Sequence, residues 1–135
     1  MVGSVLVADG ESESRELLCK ALLQDGFRVA VAGDRDIALS YIHANDFDVV
    51  VADLRLDLIK PTKCRRPTTE IVVMTGATTL DEAIAAVREG AFDFVLRPFF
   101  IEDISLTVAC AAARRQRVDL TIPIRHIRKN HDLDR

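Results

Sequence analysis

The feature that most constrains this chain is an alternation. Short apolar runs, each ending on a polar residue, are separated by stretches with helical spacing. Ser4–Ala8 ends at Asp9-Gly10, Asp48–Ala52 at Asp53, Glu70–Met74 at Thr75, and Phe92–Leu96 at Arg97-Pro98; Phe27–Val31 is a further run. A strand covered on both faces reads as a continuous apolar run, as these do. Between them, Leu18, Ala21 and Leu22, then Ile37, Tyr41 and Ile42, then Leu80, Ala83, Ile84 and Val87 recur at helical spacing. Ile101, Ile104, Val108, Ala111 and Ala112 stripe a last helix that runs to about Arg117. Ser12 or Ser14 suits the cap of the first helix, and the second runs from about Asp34 to Ala44. Thr79-Leu-Asp-Glu82 forms a capping box, and Gly26 and Gly90 stand where helices close. Five strand–helix units in this order predict an α/β fold: a doubly wound, five-stranded parallel sheet with helices on both faces.

One crossover is short. Only Leu54–Thr69 separate the third and fourth strands; Pro61 can open a helix there and Pro67 stops it. The third helix is therefore abbreviated to one or two turns. The expected organisation is one domain over 1–117 and a basic tail or linker remnant over 118–135, carrying Arg125, His126, Arg128, Lys129 and His131. The net charge of −3 makes the domain a poor holder of nucleic acid. No apolar run reaches the roughly 18 residues that span a bilayer, and no secretory signal opens the chain, so a cytoplasmic location is expected. Cys19, Cys64 and Cys110 are far apart and read as reduced thiols. His43, His126 and His131 are scattered and read as surface residues.

The polar strand ends carry the chemistry. Asp9, Asp53, Thr75 and Arg97 fall at one edge of the predicted sheet, where ligand sites of such sheets form. Two carboxylates, a hydroxyl and a cation suit phosphoryl transfer. Asp53 can attack a phosphoryl donor, Arg97 can neutralise phosphoryl oxygens, and Thr75 can donate a hydrogen bond. Asp9 and Asp53 can offer oxygen ligands to Mg2+. Each residue also has a plainer use. Asp53 and Asp9 can cap the turns that follow them, and Arg97 can pair permanently with Asp53.

The runs Val5-Leu-Val-Ala-Asp9-Gly-Glu11, Asp48-Val-Val-Val-Ala-Asp53-Leu, Val72-Val-Met-Thr75-Gly-Ala77 and Gly90-Ala-Phe-Asp-Phe-Val-Leu-Arg-Pro-Phe99 resemble, in order, those of two-component response-regulator receiver domains. The resemblance covers about residues 4 to 117 and implies the flavodoxin-like receiver fold. It implies that Asp53 is the phosphoacceptor and that Thr75 and Phe94 are the switch residues. Arg97 takes the place of the motif lysine, before a cis bond to Pro98. Asp9, Asp53 and the carbonyl of Arg55 would hold weakly bound Mg2+. It further implies a histidine kinase or other signalling protein as partner, and a homodimer face made by the fourth helix, fifth strand and last helix. Three departures stand out: Gly10 replaces the second acid of the pair, with Glu11 beside it; Arg97 replaces lysine; and the crossover after Asp53 is short.

Two function classes follow. One is a receiver that accepts a phosphoryl group on Asp53 and signals by conformational change and protein contact. It is no enzyme beyond self-phosphorylation and dephosphorylation. The alternative is a pseudo-receiver, a dimerisation or interaction module independent of phosphorylation. An aspartate-nucleophile phosphatase is disfavoured because Asp53-Leu-Arg55 is not D-x-D, and a dinucleotide site because no G-x-G-x-x-G follows a strand.

Overall fold

The computed structural model describes residues 3–76 and 80–131, and of 118–131 the backbone alone. The order is β1 (Ser4–Ala8), α1 (Ser12–Gln24), β2 (Arg28–Ala32), α2 (Arg35–Ala44), β3 (Val49–Asp53), a 3-10 turn (Leu54–Leu56), α3 (Ile59–Arg65), β4 (Glu70–Thr75), α4 (Leu80–Glu89), β5 (Asp93–Leu96) and α5 (Ile101–His131). The sheet is wholly parallel in the order β2-β1-β3-β4-β5. The expected doubly wound architecture is thus observed.

Strand alternation divides the core in two. Val5, Val7, Val49, Val51, Val72 and Met74 face α1 and α5, where Leu18, Leu22, Ile104 and Val108 meet them. Leu6, Ala8, Val50, Ala52, Ile71 and Val73 face α2, α3 and α4. Every residue of β3 and β4 is buried, which is why these segments read as unbroken apolar runs.

The helix ends follow local chemistry. Asp34 caps α2, accepting from the Ile37 amide at 2.9 Å. Past α1, Gly26 adopts φ 97°; its N–H and that of Phe27 bond Leu23 and Leu22 carbonyls at 3.0 and 3.1 Å, closing the helix as expected. Neither Ser12 nor Ser14 caps α1. Ser12 is already helical, and Glu11 at the cap makes no side-chain cap bond. The third crossover is a single 3-10 turn and a seven-residue α3 that stops before Pro67. Asp57, at φ 54°, makes the bend between them, and Arg35 holds its path by donating to the Leu56 and Asp57 carbonyls at 3.0 and 3.3 Å.

Two expectations change. On α4, Ala83 and Ala86 are buried, while Leu80, Ile84 and Val87 are exposed. Alanines let the helix lie close to the sheet and turn the larger side chains outward. Likewise Ile37 of α2 is exposed, and Ala38 and Ile42 are buried. The last helix passes the expected stop near Arg117 and continues to His131. Thr79 of the capping box and the side chains of the basic tail lie outside the described residues. The three cysteines are free and all on helices.

The end of the sheet opposite the strand carboxyl termini is fastened by charge. Arg115 of α5 donates to Asp46 at 2.8 Å and to Asp48 at 3.0 Å. Lys63 of α3 donates to the Thr69 carbonyl at 2.7 Å and sits 3.5 Å from Glu70.

Candidate functional site

Parallel pairing brings the four strand-end residues together as expected. Asp9 follows β1, Asp53 ends β3, Thr75 ends β4, and Arg97 follows β5. Asp9, Asp53 and Thr75 are 1%, 6% and 2% exposed, so the polar groups are sunk into the sheet edge. Burial of that degree is costly for a charge unless it is paired.

Both carboxylates are paired. Arg97 reaches inward from the edge strand, with Nη2 at 3.2 Å from Asp9 Oδ2 and 3.6 Å from Asp53 Oδ2. Its Nη1 lies 3.4 Å from Ser14 Oγ, and its Nη2 passes Met74 Sδ at 3.8 Å. The Arg97–Pro98 bond is cis. Arg55 closes over Asp53 from the solvent side: its backbone N–H donates to Oδ1 at 2.9 Å, its Nε to the same oxygen at 3.3 Å, and its Nη2 to Oδ2 at 3.0 Å. Asp9 Oδ1 accepts from the Glu11 amide at 3.1 Å, and the Asp9 carbonyl accepts from Arg15 at 2.8 Å. Both aspartates therefore also fill the plainer role of capping the turn after them.

Burial alone pushes the Asp53 carboxyl up, but the side-chain and backbone hydrogen bonds of Arg55, with the positive charges of Arg55 and Arg97, hold it below the usual carboxylate value. The partner shift is reciprocal: the Asp53 hydrogen bond raises Arg55.

A cleft of about 440 Å3 opens over these groups, lined by Asp53, Leu54, Arg55, Thr75, Gly76, Glu82 and Arg97. Its floor is a carboxylate and a hydroxyl, and its walls carry two guanidinium groups, so it suits a small oxyanion. Phe94 is half-buried, packed on the core under α2, α3 and α4, two residues before the strand end where Leu96 pairs with Thr75. Phe99 packs on the opposite core, whereas Phe100 is exposed.

The donor set is a poor match for a divalent cation. Among the described residues, no three His, Cys, Asp or Glu side chains come together in a way that could hold one. The Oδ2 atoms of both aspartates face Arg97, and Glu11 is exposed at the rim.

The sequence reading missed the side chains of Arg55, Ser14 and Arg15. The resemblance points to the Arg55 carbonyl and not to its guanidinium. The available signal was a cation two residues after an aspartate that caps its own turn, a spacing that brings the two side chains together.

Comparison with known proteins agrees with this arrangement. The family model described as the response regulator receiver domain matches residues 5–109. The chain is 31% identical over 120 residues to the DNA-binding transcriptional regulator NtrC of Salmonella typhimurium, covering 84% of this chain and 26% of that protein. It thus spans about a quarter of the length of the curated relatives it matches. Among solved structures, a response regulator receiver domain protein from Clostridium thermocellum superposes with a TM-score of 0.79 at 28% identity, covering 85% of this chain and 98% of that one. The solution structure of the beryllofluoride-activated NtrC4 receiver domain dimer superposes with a TM-score of 0.78 at 28% identity, covering 83% and 98%.

Proposed function

The chain belongs to the response regulator receiver domain family, and from that premise we propose that it accepts a phosphoryl group on Asp53 and signals through the change in packing that follows. As a receiver domain it is a signalling module of two-component systems. The observation that carries the proposal is the convergence of Asp53, Thr75 and Arg97 on one cleft.

In the proposed step, an Asp53 carboxylate oxygen attacks the phosphorus of a phosphohistidine or acyl phosphate. The bond from phosphorus to the donor nitrogen or oxygen breaks, and the leaving group keeps the electron pair. The transferring group carries spread negative charge, so positioning and neutralisation dominate the chemistry. Arg55 and Arg97 would turn N–H groups from carboxylate to phosphoryl oxygens, and the Thr75 hydroxyl would donate to a third. Thr75 and Phe94 then form the switch: a hydroxyl drawn toward the phosphoryl group leaves room that the half-buried ring can take. Receiver domains generally bind Mg2+ at their acidic pocket; the corresponding groups here are Asp9, Asp53 and the Arg55 carbonyl, and both carboxylates already face Arg97.

The partners we propose are a histidine kinase and a second copy of the chain, meeting through α4, β5 and α5. Support for the dimer comes from the apolar side chains that this face exposes: Ile84 and Val87 on α4, Leu96 on β5, Leu106 on α5. The related NtrC4 receiver is a dimer. The pairing of Asp53 by two guanidinium groups favours the second reading, a pseudo-receiver held in one state.

The deciding experiment is intact mass spectrometry after incubation with acetyl phosphate, with and without magnesium, using Asp53→Asn as control. A phosphoryl adduct on the parent and none on the variant is the expected result. No adduct under any condition would leave the pseudo-receiver.

A further inference from the structure

We infer that Arg97, with Arg55, does the charge-neutralising work of a divalent cation inside this pocket, so that the site neither requires nor holds one. A single nitrogen, Arg97 Nη2, stands between Asp9 Oδ2 and Asp53 Oδ2 at 3.2 and 3.6 Å, which is where a cation shared by two carboxylates has to sit. The guanidinium is not loosely placed. Ser14 Oγ receives its other terminal nitrogen at 3.4 Å, the Met74 sulfur flanks it at 3.8 Å, and the side chain is 23% exposed.

Charge balance points the same way. Arg97 already stands between the two buried carboxylates, and a dication placed beside them would face its positive charge at close range in a place with little water to screen it. Glu11 and Glu82 stand at the rim, both exposed, where water screens their charge. Position 10 contributes no ligand because it is glycine, although a Cβ built there meets nothing closer than the Gly33 carbonyl at 3.7 Å. The backbone at position 10 therefore has space for a side chain to begin, and the sequence supplies none.

The consequence for the chemistry rests on the proposed role of Asp53 as phosphoryl acceptor: Arg97 and Arg55 would carry the neutralisation of the incoming phosphoryl group, as arginine does elsewhere in phosphoryl transfer. The binding consequence does not depend on that role.

The test has two arms on the full chain. In the first, Mn2+ is titrated to millimolar concentration while the amide signals of Asp9, Asp53 and Arg55 are followed by NMR. The expected result is no selective loss of these signals in the parent and a selective loss in Arg97→Ala. If Arg97→Ala does not fold, Gly10→Asp supplies the gain-of-binding control. Selective loss in the parent would overturn the inference. In the second arm, acetyl phosphate is added with EDTA or with Mg2+, and the adduct is weighed. Equal adduct in both is expected, and an adduct that needs Mg2+ would overturn the inference while leaving Asp53 as acceptor. If no adduct forms in either, the acceptor reading falls, and the manganese arm alone decides: silence in the parent upholds the inference and selective broadening overturns it.

Discussion

At the scale of single residues, Asp53 is set by a contest. Burial favours its neutral form, and Arg55 with Arg97 favours the charged one, with the second prevailing. Because the folded-state pKa is depressed, the stabilisation from these pairs is fully present above the ordinary carboxylate value of about 3.9 and is lost as pH falls through the lower folded value. Arg55→Ala should raise the Asp53 pKa and move that loss to higher pH, read by a carboxyl 13C NMR titration. The Arg55 side chain is 88% exposed, so the urea midpoint at neutral pH should barely move. Asp9, Asp53, Thr75 and Arg97 were legible in the sequence because each ends an apolar run, and a parallel sheet sends all such ends to one edge. The cover that Arg55 forms was not legible. Its direction depends on the 3-10 turn after β3, which no periodicity announces.

At the scale of elements, strands were legible and helix faces less so. A buried parallel strand must be apolar throughout, which leaves a plain mark. A helix beside a sheet can bury either its bulky residues or its small ones, and hydrophobic spacing does not say which. On α4 it is Ala83 and Ala86 that go inward; of the expected stripe Leu80, Ala83, Ile84 and Val87, Ala83 is enclosed and the other three face out. The end of α4 was legible, because Gly90 sits at φ 120° and its N–H bonds the Val87 carbonyl at 3.0 Å. A Cβ there would also meet Lys63 Cγ at 3.3 Å. Gly90→Ala should therefore destabilise the fold by about 1–3 kcal/mol, measured by equilibrium denaturation. The effect should reach the α3–β4 junction, since the same lysine holds the Thr69 carbonyl.

At the scale of the whole molecule, the core between the sheet and α1 and α5 is enclosed, while Leu17 and Leu23 of α1 stay exposed. The α4, β5 and α5 side leaves Ile84, Val87, Leu96 and Leu106 in water. Ile84→Glu should lower the concentration-dependent sedimentation coefficient expected of the parent and leave the melting temperature nearly unchanged, because the residue is on the surface. An unaltered, monomeric profile in both proteins would remove the dimer from the proposal. Edge position matters on this side too. β5 has a neighbour only in β4, and edge strands exchange their amide hydrogens by local opening rather than by unfolding of the whole domain. Yet its carboxyl end is stitched by one guanidinium to Asp53, two strands inward, and to Asp9, one strand further. The edge strand is thereby a gauge: protection of the Phe94–Leu96 amides rises and falls with what happens to a carboxylate that β5 itself never touches.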